Sequence, residues 1–177
     1  MKHALNAKKI LSLTIATFLA TSALLIAASS TALAQNQPNE ADFKIKEFGI
    51  KDGKPWVTVE GKAGASTPQN LSQIYVYAFG TDKGMFAVAS HGVEDSAEVE
   101  NDTAWHTHGG VTLDEKKCLV ATDLNDDGTA IVTDQVEIGN ITATKVDTVT
   151  TALLGINNAD GSICIEKVFD SKNSTQS

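Results

Sequence analysis

Short runs of Val, Ile, Thr and aromatic residues recur along this chain, separated by clusters of Gly, Asn and Asp. A half-buried strand alternates apolar and polar side chains, whereas an amphipathic helix repeats at about 3.6 residues, and beyond the N-terminal region only the first pattern is convincing. The runs at 42–48, 55–61, 72–79, 85–91, 104–113, 117–124, 129–138, 141–153 and 162–169 therefore read as strands. Between them stand turn-forming segments such as Lys51-Asp52-Gly53-Lys54, Asn125-Asp126-Asp127-Gly128 and Asn157-Asn158-Ala159-Asp160-Gly161, where Gly and Asn accept the left-handed backbone of tight hairpins. About nine short strands joined in this way predict an all-β domain, an antiparallel β-sandwich or small barrel. A short helix over 145–154 is the alternative around Ala152-Leu153-Leu154, but the neighbouring Thr and Val residues favour strand.

The run 72–79 constrains the packing further. Ile74, Val76 and Ala78 fall on one face of a strand, and Tyr75, Tyr77 and Phe79 on the other. Both faces are apolar, so both should be covered. Packing is the first account of the aromatic stripe; self-association or glycan contact through Tyr75, Tyr77 and Phe79 is the second.

The first 34 residues follow different rules. Lys2, Lys8 and Lys9 precede an apolar stretch from Ile10 to Ala28, and Ala32-Leu33-Ala34 forms a small-x-small site before Gln35. This order predicts a cleaved secretory signal peptide over 1–34. The rival is an uncleaved anchor, because about 19 residues could span a bilayer. Residues 35–41 read as a polar leader, 42–170 as a single β domain and 171–177 as a loose tail. No second spanning run follows, so no membrane span is expected after processing, and the protein should be secreted or at the cell surface.

Charge narrows the partners. The chain carries 22 acidic residues against 14 basic ones, all of them Lys, for a net charge of −8. That balance, without the guanidinium fork that reads phosphates and guanine edges, argues against nucleic acid. In an oxidising compartment the two cysteines, Cys118 and Cys164, should form a disulfide; two buried thiols are the alternative. Asn-x-Ser/Thr sequons at Asn70, Asn101, Asn140 and Asn173 are glycosylation candidates if the host modifies exported proteins.

Chemistry-bearing residues gather in one place. His91, His106 and His108 fall within eighteen residues. On a strand, His106 and His108 share the face opposite Trp105 and Thr107, and a third imidazole from a neighbouring strand would make a zinc or copper site. Glu94, Asp95, Glu98, Glu100 and Asp102 lie between and could add a ligand or an outer partner. The bland alternative is a solvated polar face. A weaker calcium candidate is Asp123-x-Asn125-x-Asp127-Gly128 with Asp134, although strands rather than helices flank it. Ser90 adjoins His91, yet neighbours in a strand point to opposite faces, and no nucleophile elbow surrounds any Ser. The expectation is a non-enzymatic protein.

The segments Trp105-His106-Thr107-His108, Val111-Thr112-Leu113-Asp114, Cys118 and Cys164-Ile165-Glu166 resemble those of uncharacterised exported β-domain proteins of archaea, over roughly residues 70–170. Here Gly109-Gly110 separates the His pair from Val111, which predicts a bulge. The resemblance implies secretion and a β fold, and no activity. Together these readings favour an exported domain with a structural or adhesive role at the cell surface. The alternative is a soluble extracytoplasmic protein that binds zinc or copper through the His cluster.

Overall fold

The computed structural model describes residues 37–92, 104–123 and 128–174. Among them are ten strands: β1 (Ile45–Lys51), β2 (Lys54–Val59), β3 (Gln73–Thr81), β4 (Gly84–His91), β5 (His106–Leu113), β6 (Leu119–Asp123), β7 (Thr129–Val132), β8 (Val136–Gly139), β9 (Val146–Ile156) and β10 (Ile163–Asn173). They form two antiparallel sheets, a four-stranded one in the order β1-β2-β8-β7 and a six-stranded one in the order β10-β9-β3-β4-β5-β6. The all-β, sandwich-like architecture agrees with the periodicity of the sequence. The segment 145–154 is not helix: from Val146 on it is strand β9.

Several boundaries differ from expectation. The run 129–138 is two strands, because Thr133-Asp134-Gln135 turns back on itself, with Thr133 N–H donating to the Gln135 carbonyl at 2.9 Å. Residues 171–173 are not a loose tail: they continue β10, paired with Thr148–Thr150 of β9. The leader is shorter than expected as well. Asn39 caps a one-turn 3-10 helix, Glu40–Phe43, which replaces the start of the first predicted strand and buries Asp42 and Phe43. The Asp42 carboxylate accepts hydrogen bonds from Lys62 N–H, Ser66 Oγ and Asn39 Nδ2, so its buried oxygens are satisfied. The segment 1–34 lies outside the described residues.

Register explains the core. Tyr75, Tyr77 and Phe79 stand opposite Ser90, Val88 and Phe86 on one side and Leu153, Thr151 and Val149 on the other. Residues directly opposite share a face, and this face meets Phe43, Ile45, Val57, Val59, Val136 and Ile138 to form the main core. Burial of each of these large side chains contributes about 1.5–3 kcal/mol. The aromatic stripe is therefore interior. Tyr75, Tyr77 and Phe79 are at most 1% exposed and offer no surface to a partner or glycan. The Tyr77 hydroxyl donates to the Asp42 carbonyl at 2.7 Å and accepts from Gly64 N–H at 3.2 Å. Burial pushes its pKa up to about 12.

The opposite face of the six-stranded sheet carries Ile74, Val76, Ala89, Ala152 and Leu154, with Ile156, Ile163 and Ile165 against them. The four-stranded sheet does not cover this face; the sheet's own curl does. Its edge strands β6 and β10 meet where Cys118 and Cys164 form an antiparallel bridge and a disulfide. Beside them Ile165 N–H donates to the Lys117 carbonyl at 3.0 Å.

Candidate metal centre

Strand register builds the histidine cluster. Ala89 pairs with His106, Val88 with Thr107 and Ala87 with His108. His106 and His108 thus share the face of Ala87 and Ala89, and His91, two residues beyond Ala89, lies on that same face. Small alanine neighbours let the imidazoles lean toward one another. Ring centroids are 4.7 Å apart for His91 and His106, 4.8 Å for His106 and His108, and 5.9 Å for His91 and His108. One nitrogen from each ring lies within 4.8 Å of the other two. The expected bulge exists, but the β5–β6 register shifts between Gly109 and Thr112, with Gly110 at φ 59°, and again between Thr112 and Leu113, and the pairing of the His residues with β4 stays regular.

The alternate side chains confirm the facing. Trp105 Nε1 donates to the Gly64 carbonyl at 3.0 Å, and its ring lies 5.1 Å from that of Tyr77, on the main-core side. Gly64 itself has φ +67°, and a Cβ there would come within 2.4 Å of Val132 and 3.0 Å of the Trp105 ring, so only glycine suits this position. Thr107 Oγ1 donates to the Gly128 carbonyl at 2.9 Å. Ser90 is fully buried and pairs with Tyr75, on the face away from the histidines.

His91 is 3% exposed. His106 Nδ1 lies 2.9 Å from the Ala104 carbonyl. A carbonyl oxygen only accepts, so Nδ1 carries the proton and the lone pair of the neutral ring sits on Nε2, the form in which imidazole ligates a metal. Nε2 of His106 and Nδ1 of His108 are both shielded from solvent. Tetrahedral zinc with Zn–N bonds of 2.0–2.1 Å sets its nitrogens about 3.4 Å apart. The cluster is wider than that and needs a modest contraction of the rings to close on an ion.

The remaining candidates fare differently. Glu94, Asp95, Glu98, Glu100 and Asp102 lie outside the described residues, as do Asn125 and Asp127 of the calcium candidate. Asp123 ends β6, whereas Asp134 sits in the turn between β7 and β8. The hairpin turn expected at Asn125-Asp126-Asp127-Gly128 falls, apart from Gly128, outside the described residues. The strands on either side, β6 and β7, belong to different sheets, and β7 pairs with β8. Asn70, Asn140 and Asn173 are exposed, and Asn101 is outside the described residues. Missed from the sequence was a hollow beside the histidines. Its volume is about 140 Å³, and it is lined by Ile74, Val76, Ala87, Ala89, Leu154 and Ile163 together with His91 and His108. The signal for it was the pair of small residues Ala87 and Ala89 on an otherwise bulky apolar face.

No protein-family model matches the chain, and neither a curated protein nor a solved structure matches it. Among the described residues no helix is long and apolar enough to cross a membrane. A disulfide is the mark of an oxidising environment.

Proposed function

We propose that this is an exported protein that holds one transition-metal ion, zinc or copper, through His91, His106 and His108. One observation carries the reading: three imidazoles from two adjacent strands turn to one face, with a ligand nitrogen from each inside 4.8 Å. Three neutral nitrogens suit zinc or copper better than the oxygen-seeking calcium. The Ala104 carbonyl acts as the outer partner that orients His106. Export is supported by the signal-like N-terminus and by the disulfide.

The test is the metal content of protein exported by its host and purified without a tag or chelating column. About one ion per chain, removed by chelator and not recovered by His106→Ala/His108→Ala, is the expected result. A structural or adhesive role is the second reading, favoured by the cross-linked, self-closing sheet. It predicts substoichiometric metal and the same melting curve with and without zinc or copper.

A further inference from the structure

The metal reading leaves one coordination position undefined, and the hollow bears on what fills it. His91 and His108 are both ligand candidates and both part of the hollow's wall. Among the described residues the only other polar side chain in that wall is Thr122, whose hydroxyl already donates to the Gly109 carbonyl at 3.4 Å. An ordered water needs two to four polar partners, and an apolar cavity of about 150 Å³ is known to stay dry and to accept benzene. A hollow of about 140 Å³ with this lining is suited to one benzene-sized ring. At its polar end the ring would meet the histidine cluster.

We propose that the metal's fourth position opens into this hollow and takes a small exogenous ligand: one aromatic ring bearing a single donor atom, with no further polar substituent. The inference rests on the metal reading and deepens it, assigning the triad to ligand capture rather than to a sealed structural site. A zinc site with three protein ligands keeps its fourth position for water or a substrate. Here the ligand's lone pair displaces that water from the metal, and no proton or electron changes hands. The donor supplies orientation, and burial of the ring supplies most of the affinity. A second hollow of about 170 Å³ shares Val76, Ala87, Val111 and Leu154 with the first, so ring substituents pointing away from the donor have space to extend.

Cobalt(II) serves as the spectroscopic probe and pyridine as the ligand, because pyridine is a benzene-sized ring with one nitrogen donor. Apo protein should take up one cobalt. Failure at that step overturns the metal reading, and the inference with it. With cobalt bound, pyridine should shift the visible bands saturably; a cobalt protein blind to pyridine overturns the inference and leaves the metal reading standing. Benzene, which has no donor, should compete and weaken pyridine binding at least ten-fold at saturation. Pyridine binding indifferent to benzene would mean that the open position faces solvent, and the inference fails. Val111→Phe lies beyond the glycine bulge, outside the triad, and fills the hollow. It should keep its cobalt while losing at least ten-fold in pyridine affinity. The benzene competition needs only the parent protein, so it decides the matter even if that variant does not fold.

Discussion

The two faces of the six-stranded sheet are made by alternate residues of the same strands, yet they differ in kind. Along β3, Tyr75, Tyr77 and Phe79 go one way and are buried beneath the second sheet. Phe43 stacks on Phe169 with centroids 4.6 Å apart and on Tyr77 at 5.6 Å, so rings meet rings at one end of that layer. Ile74, Val76 and Ala78 go the other way, into the concave side of the curl, where Ala87, Ala89 and Ala152 face them and two hollows remain. Both faces are apolar by pattern. Side-chain volume separates them: large rings make a solid layer, and alanines on a curled sheet leave room. Solid packing gives stability, while the room lies where the histidines are.

The largest expected effect breaks the solid face. Phe79→Ala should cost about 3–5 kcal/mol in urea unfolding, whereas Leu154→Ala beside a hollow should fall at the low end of the 2–5 kcal/mol range for such truncations. Equal losses would mean that the two faces are packed alike. Next, replacing both cysteines by Ser should cost up to about 4 kcal/mol by the chain-entropy account. Hydrogen exchange should then quicken first in β6 and β10 and last in β3; uniform acceleration would contradict a curl held by its edges. Zinc at a hundred times its dissociation constant should raise stability by about 2.7 kcal/mol, and His106→Ala/His108→Ala should abolish the gain.

The Tyr77 hydroxyl gives an effect of similar or smaller size, visible only in alkali. Burial raises its folded pKa from an ordinary 10.0 to about 12. Folding therefore favours the protonated phenol, and the associated stability is intact below about pH 10 and lost as pH rises toward 12. The loss should reach roughly 2–3 kcal/mol. Tyr77→Phe should flatten this alkaline limb in a pH series of melting curves. At neutral pH it should cost only about 1 kcal/mol, for the bonds to Asp42 and Gly64.

Much of this was legible in the residues. Period-two alternation exposed the strands and the two apolar faces of β3, and it set His106 and His108 opposite Trp105 correctly. The disulfide partners followed from there being only two cysteines. The position of His91 could be expected but not measured, because it depends on the β4–β5 register, a long-range choice that puts Ala89 beside His106. The break at Thr133–Gln135 was hidden by Val and Ile on both sides of it. Which sheet each strand joins was hidden too. Pairing of β9 with β3 spans some seventy residues, and local propensity carries no information about such a partner. The hollow is a consequence of curvature, which no pattern of single residues describes.

The cross-link also imposes an order of assembly. The sheet's central strand, β3, must wait for β9, and the hoop can be fastened only after β10 has arrived, 46 residues beyond Cys118. A chain made from its N-terminus therefore holds Cys118 as a lone thiol beside a half-built wall until Cys164 is in place. Oxidation is the last stitch, and it can be made only where the final strand can reach it. Before that moment the concave side of the sheet is an open trough; afterwards its two edges are tied at Cys118 and Cys164 and its curl is fixed.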